Sequence, residues 1–308
     1  MWPKLGAKFD AGWMSVVRQG DRIDLARVIR AAGGSPQITL CDSFRIEGSE
    51  ADSLSRLALS HGLKRFRCAT LLDESDYRLV QLDAPAVPAE ERVQASRWRL
   101  KDVVDFPVDD AAVSIADIPT EGGRQASVFA VASPAAVVGE RMALYHEKKI
   151  PLEAIDIPEM AVRNVAVLFE EPNRGLAFLL LTQDEGLLTI TCGGELYLSR
   201  RIEVAMAELV KADEERRRQM LERLALELQR TLDNFDRQYG FVSVSRLLVA
   251  SEVDCAGTVA TIAENLYLPV QVADFSTVLD FAALPELRST DRQAQSLLAI
   301  GAALRSEA

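Results

Sequence analysis

The chain has 308 residues, 48% of them hydrophobic, and its 46 acidic against 35 basic side chains leave a net charge of −11 at pH 7. A chain of this size has room for two domains, and its acidic surplus excludes bulk electrostatic binding to nucleic acid or to an anionic membrane. Four dispersed cysteines (Cys41, Cys68, Cys192 and Cys255) without CxxC spacing, and only two histidines, His61 and His146, argue against a metal site, a disulfide framework or a Cys/His nucleophile pair.

At the N-terminus, residues 1–8 lack the long apolar core of a signal peptide, and no apolar run in the chain approaches the ~18 residues that cross a bilayer. This predicts a cytoplasmic protein that meets a membrane only through a partner. Alternating or continuous aliphatic runs predict strands at 4–9, 14–17, 37–41, 67–72 and 77–82, with a Gly20-Asp21 turn followed by an apolar segment, and a Gly33-Gly34-Ser35-Pro36 turn. Pro88-Ala89-Glu90-Glu91 reads as a helix start, with Val93, Trp98, Leu100 and Val104 as its apolar content and Pro107 as its end. Strands at 112–118 and 127–131 follow around Gly122-Gly123, so 66–133 contains enough for a small inserted α+β subdomain.

Beyond the turn residues of 171–175, strands are predicted at 176–181, 187–192 and 196–198, with Gly193-Gly194 between the last two. The charge run 211–218 reads as a solvated face or a junction between two helices, with Glu214 and Arg218 paired at i,i+4. From Met220 to Tyr239, Leu221, Leu224, Ala225, Leu228, Leu232 and Phe235 draw one apolar helical stripe that Gly240 stops. Strands at 246–250 and 270–273 close the pattern. Both halves open on a strand meander followed by helix and strand, so the class is α/β with a suspected duplication: a first lobe at 1–173 and a second at 174–308.

The order of these pieces, with Ile-Asp-Ile-Pro-Glu-Met-Ala-Val-Arg-Asn at 155–164, Gly-Glu-Leu-Tyr-Leu-Ser-Arg-Arg-Ile at 194–202, Leu-Glu-Leu-Gln-Arg-Thr-Leu-Asp at 226–233 and Ala-Ile-Gly-Ala-Ala-Leu-Arg at 299–305, resembles the PilM-like actin-fold family of type IV pilus biogenesis, nearest to its MSHA-pilus members. The resemblance implies an actin-like (ribonuclease H-like) two-lobed fold with an inserted α+β subdomain in the first lobe. It implies a cytoplasmic scaffold that docks the tail of a PilN-like (MshJ-like) inner-membrane protein between the first lobe and its insert, joining the pilus platform to its motor components. A homo-oligomer stays open. The groove candidates are Leu79, Val80, Leu82 and Trp98, each of which core packing would equally explain.

The family's nucleotide-binding members cradle phosphates with two glycine-bearing hairpins and an acid on the metal side. Their first hairpin reads like Leu-Gly-Ile-Asp-Ile-Gly, small hydroxyl residues, then Lys. Laid without gaps from Leu5-Gly6, it puts Lys8 at the Asp, Asp10 at the Gly and Ser15 at the Lys. A two-residue slip recovers Asp10-Ala11-Gly12 but crowds the turn with Trp13 and Met14. The second hairpin falls on Leu181-Thr182-Gln183 and Leu187, and the adenosine-side Gly-Gly on Ser251-Glu252, so the expectation is a degenerate site with neither ATP nor magnesium. Asp184 and Glu185 offer an unfamiliar metal site as a minor alternative. The other readings are an active actin-fold ATPase or small-molecule kinase, and the cytoplasmic part of a type II secretion platform protein. That last family continues into a transmembrane helix, whereas this sequence stops at Ala308.

Overall fold

The computed structural model describes residues 9–30, 33–121, 125–253 and 256–305. In chain order the elements are β1 (Trp13–Gln19), β2 (Arg22–Ile29), β3 (Gln37–Arg45), α1 (Glu50–Ser60), β4 (Arg67–Leu71), β5 (Arg78–Asp83), α2 (Arg92–Leu100), β6 (Ala111–Ile118), β7 (Ser127–Pro134), α3 (Ala135–Glu147), β8 (Leu152–Asp156) and α4 (Pro158–Ala166). They continue with β9 (Gly175–Leu181), β10 (Gly186–Cys192), β11 (Glu195–Ile202), α5 (Met206–Lys211), α6 (Glu214–Gln238), β12 (Val244–Ser251), α7 (Ala256–Asn265), β13 (Val270–Val272), α8 (Thr290–Gln295) and α9 (Leu297–Ala303). Two compact units result, one of Met1–Gly34, Ile38–Pro158 and Ala302–Ala308, the other of Ser35–Gln37 and Glu159–Gly301.

Each unit is built on a five-stranded sheet of the same design, ordered β3-β2-β1-β4-β8 in the first and β11-β10-β9-β12-β13 in the second. In both, the opening strand is antiparallel to the second and parallel to the fourth, which is parallel to the fifth. The suspected duplication is therefore present as repeated topology. β9, Gly-Leu-Ala-Phe-Leu-Leu-Leu, is buried along its whole length, as a central strand covered on both faces must be.

In the first unit the core gathers Met14, Val16, Ile23 and Leu25 from the meander, Leu54 and Leu57 from α1, and Tyr145 from α3. The Tyr145 hydroxyl, wholly buried, lies 2.9 Å from the Val16 carbonyl oxygen and 3.0 Å from Thr70 Oγ1, so its polar tip is satisfied. Burial pushes that phenol well above its ordinary range and raises the Cys68 thiol to about 12. α1 begins with a capping box in which Ser49 accepts from Asp52 N and the Asp52 carboxylate accepts from Ser49 N.

The inserted material forms an antiparallel sheet ordered β5-β7-β6, with α2 packed over one face through Leu100 against Ala130, Ala132, Val80 and Leu82. It begins after β4, because residues 67–71 pair in parallel with β1 and β8 and so belong to the larger sheet. The expected strand at 14–17 is β1, and the apolar segment after Gly20-Asp21 is β2. The strand expected at 4–9 and the Gly122-Gly123 turn lie outside the described residues, apart from Phe9.

The charge run is a helix junction, with the chain turning at Ala212 and the Asp213 side chain accepting from Arg216 N to start α6. Arg218 pairs with Glu215 and Glu222 rather than Glu214. In the second unit, α9 crosses α4 closely enough that a Cβ on Gly301 would sit 2.1 Å from the Ala161 carbonyl oxygen, and Asn164 Nδ2 donates to the Gly301 carbonyl at 3.0 Å. Gly301→Ala should thus overpack this crossing at a cost of about 1–3 kcal/mol. Chemical denaturation that leaves the midpoint unmoved would show that the two helices are free to separate.

Candidate functional site

The first-unit hairpin turns at Gln19–Arg22, with Gly20 at φ +59°. The turn is knitted from within: Asp24, 1% exposed, accepts from Gln19 Nε2, from Arg22 Nε at 3.0 Å and from Ser43 Oγ. Beside it, Arg18 stands 3.6 Å from Glu50 and 3.5 Å from Asp73, and Arg141 pairs with the same two carboxylates. Burial raises the Asp73 carboxyl above its ordinary range, opposed by Arg18 and Arg141.

None of the described residues assigned to this hairpin from sequence stands in its turn. Ser15 is buried in mid-β1, its Oγ accepting from Ala26 N at 3.2 Å. Asp10 precedes β1, its N donating to the Arg65 carbonyl at 2.8 Å and its carboxylate 3.7 Å from Arg65 Nε. Gly12 serves strand entry instead: at φ +83°, a Cβ there would lie 2.2 Å from the Val28 carbonyl oxygen. Lys8 lies outside the described residues. The physical reason is that the hairpin-forming strand begins at Trp13, well after the glycine at position 6 that anchored the sequence register.

In the second unit the sequence register lands on the turn itself. Leu181 ends β9, Thr182 and Gln183 make the turn, and Leu187 is buried in β10. Thr182 Oγ1 accepts from Asp184 N at 3.4 Å and from Glu185 N at 3.1 Å, while Thr182 N donates to the Glu185 carbonyl. A phosphate cradle needs such N–H groups turned outward; here they close on the turn's own threonine.

The Arg201 guanidinium bridges Glu185 in this turn and Glu159, at 3.1 Å, at the start of α4. Glu159 is 3% exposed. Asp184 is exposed, and among the described residues no group of three or more His, Cys, Asp or Glu is placed to hold a metal ion. Ser251 Oγ accepts from Val253 N, and Glu252 N donates to the Leu181 carbonyl at 3.1 Å. A cleft of about 220 Å³ opens between α5, the end of β11 and α6, smaller than the 300–1,000 Å³ usual for ligand pockets.

The four groove candidates do not share a surface. Val80 and Leu82 pack into the insert's core under α2. Leu79, opposite Val131, points to the other face of that sheet and is half-buried. Trp98 is 66% exposed on the solvent side of α2. That second face is only partly covered, with Leu79, Val131 and Ala116 half-buried and Gln81 and Ser114 exposed. α3, which packs against β6 and β7, buries only Tyr145 and leaves Ala135, Ala136, Gly139, Met142 and Ala143 exposed at helical spacing. That helix face escaped the sequence reading, though its i, i+3, i+4, i+7 run of small and apolar residues was there to be seen.

Removing the Arg201 charge should leave Glu159 buried without its partner and cost about 3 kcal/mol. Urea unfolding of Arg201→Met, Glu159→Gln and the double variant forms the cycle that checks it. The double variant should recover part of the loss, and additive effects would mean that the two side chains are not coupled.

No protein-family model matches the chain, and no curated protein is similar enough in sequence to count as a match. Among solved structures, a chain of the PilM-PilN type IV pilus biogenesis complex is 18% identical with a TM-score of 0.73, the alignment covering 96% of this chain and 98% of that one. A protein with an actin-like ATPase fold from Bacteroides thetaiotaomicron is 10% identical, TM-score 0.51, covering 96% and 98%. The cytoplasmic domain of EpsL, an inner-membrane component of the type II secretion system of Vibrio cholerae, is 12% identical, TM-score 0.49, covering 96% and 97%. With the doubled sheet topology, the first two likenesses establish that this chain has the actin-like fold.

Proposed function

We propose that this protein is a cytoplasmic scaffold of a type IV pilus assembly platform, of the MSHA type, which docks the cytoplasmic tail of a PilN-like (MshJ-like) inner-membrane protein and no longer uses a nucleotide. The observation that carries the reading is the likeness, over nearly the full length of both chains, to a chain of a PilM-PilN complex. The second-unit hairpin, whose Asp184 and Glu185 N–H groups close on Thr182, supports the loss of nucleotide use, since an actin-fold ATPase needs outward N–H groups and a free metal-side acid. No helix of the described residues is long and apolar enough to cross a membrane, so in this reading the membrane is reached through the partner.

The docking site in this reading is the half-covered face of the insert sheet around Leu79, adjoining α3. An extended tail with apolar anchors suits it, because the side chains fill shallow pockets while the backbone finds hydrogen bonds at a strand edge. β5 is an edge strand of that sheet.

Thermal unfolding tests both parts. A peptide copying the cytoplasmic tail of the PilN-like protein, at about a hundred times its dissociation constant, should add about 2.7 kcal/mol and raise the midpoint by several degrees. Mg-ATP and Mg-ADP should leave it unmoved, and Leu79→Ser should weaken the peptide at least about tenfold, the scale of one lost apolar anchor. A nucleotide shift would restore an active ATPase or kinase, and tail binding indifferent to Leu79→Ser would move the docking site elsewhere.

A further inference from the structure

We propose that the outer face of α2, centred on Trp98, is a second docking surface that takes a cationic segment of a partner protein carrying an aliphatic or aromatic anchor. The first observation is the rotation of the helix. α2 turns Ser96 into the insert's core, where it is fully buried with its Oγ unpaired among the described residues, and turns Trp98 outward, 66% exposed. Hydrophobic burial alone would favour the opposite rotation, since an indole gains far more from leaving water than a hydroxymethyl group does, and an unpaired buried hydroxyl is costly.

The rotation is held by polar ties. Arg97 donates to the Val108 and Ala111 carbonyls, and Arg92 pairs with Asp117 on β6. Val87 and Val103, before and after the helix in sequence, are also exposed.

The second observation is charge, and it selects the occupant. Residues 73–134 carry twelve acids against six bases, a net −6 of the chain's −11. Among the described residues the arginines there are already engaged, Arg78 with Asp105, Arg92 with Asp117, Arg99 with Asp83, and Arg97 with backbone carbonyls, and Lys101 is the one other base. Among the described residues, Glu90, Glu91, Asp102, Asp109 and Asp110 are exposed and have no ion-pair partner. Asp102 lies one turn beyond Trp98 and Glu91 two turns before it. An exposed aromatic rimmed by uncompensated carboxylates is complementary to an apolar anchor between lysines or arginines, the arrangement in which Trp supplies binding energy and the rim supplies rate and selectivity.

This surface is distinct from the tail site, because α2 and Leu79 lie on opposite faces of the insert sheet. The probe is a fluorescent peptide of alternating Lys and Leu, titrated into the full chain by anisotropy at low and at 0.5 M salt. Binding should weaken at least tenfold in Trp98→Ser and in the triple variant Glu90→Lys, Glu91→Lys, Asp102→Lys, and the triple variant should also lose the salt dependence. A Lys/Ser peptide and a Glu/Leu peptide should bind at least tenfold more weakly than the Lys/Leu one.

The PilN-like tail peptide should bind Trp98→Ser as it binds the parent, which separates failure of this surface from failure of the tail site. Equal Lys/Leu binding by either variant overturns the proposal. So does a fall of more than a few degrees in the Trp98→Ser unfolding midpoint, because Trp98 would then be a structural residue.

Discussion

Burial of the two central strands on both faces is the constraint from which the rest of the architecture follows. β9 offers no residue to solvent, and Met14, Val16 and Val17 of β1 are equally enclosed. A strand in that position needs partners on both edges and helices or strands over both faces. The parallel neighbours β4 and β12 can be reached only by crossovers, which α1 supplies in the first unit and α6 in the second. The C-terminal ends of β1 and β9 then emerge beside the hairpin turns, so whatever chemistry each unit offers there depends on what the turn residues do with their own hydrogen-bonding groups.

In both units charged side chains beside the turn are paired within the unit, and by a similar device. Arg18 stands among Glu50, Asp73 and Arg141 in the first; Arg201 stands between Glu159 and Glu185 in the second. A guanidinium held by two carboxylates places a fixed, non-exchangeable cation among the acids. Its charge never leaves: in the first unit Arg18 and Arg141 balance Glu50 and Asp73, and in the second Arg201 offsets one of the two charges of Glu159 and Glu185. Such pairs contribute modestly to stability where solvent reaches them, and more to uniqueness where one member is as buried as Glu159.

The fold was largely readable from hydrophobic pattern because most of it rests on local periodicity. The stripe from Leu221 to Phe235 and the aliphatic run of β9 are strong local signals, and both elements stand where they were expected. In the first hairpin the alternation of Ile23-Asp24-Leu25 gives way to Leu25-Ala26, so β2 reads only as an apolar segment, although Gly20-Asp21 between Val17 and Ile23 is a sound hairpin signal. Arg218 pairs with Glu215 and Glu222 rather than Glu214, a choice among carboxylates within reach on one helix that spacing alone does not decide. The Arg201 bridge and the outward Trp98 were illegible for a different reason. Both depend on partners far along the chain, Glu159 for the one and the Val108 and Ala111 carbonyls and Asp117 for the other.

Those two long-range features bear on function in opposite ways. At the Arg201 bridge a local rule is broken, a carboxylate buried, and the break is mended inside the unit. At α2 two local rules are broken, an indole exposed and a hydroxyl buried, and the described residues mend neither. Local rules broken without an internal remedy are expected at functional sites, whereas a break mended inside the unit calls for no further partner. On that reasoning both proposed docking surfaces fall on the insert, which carries more than half of the chain's net charge.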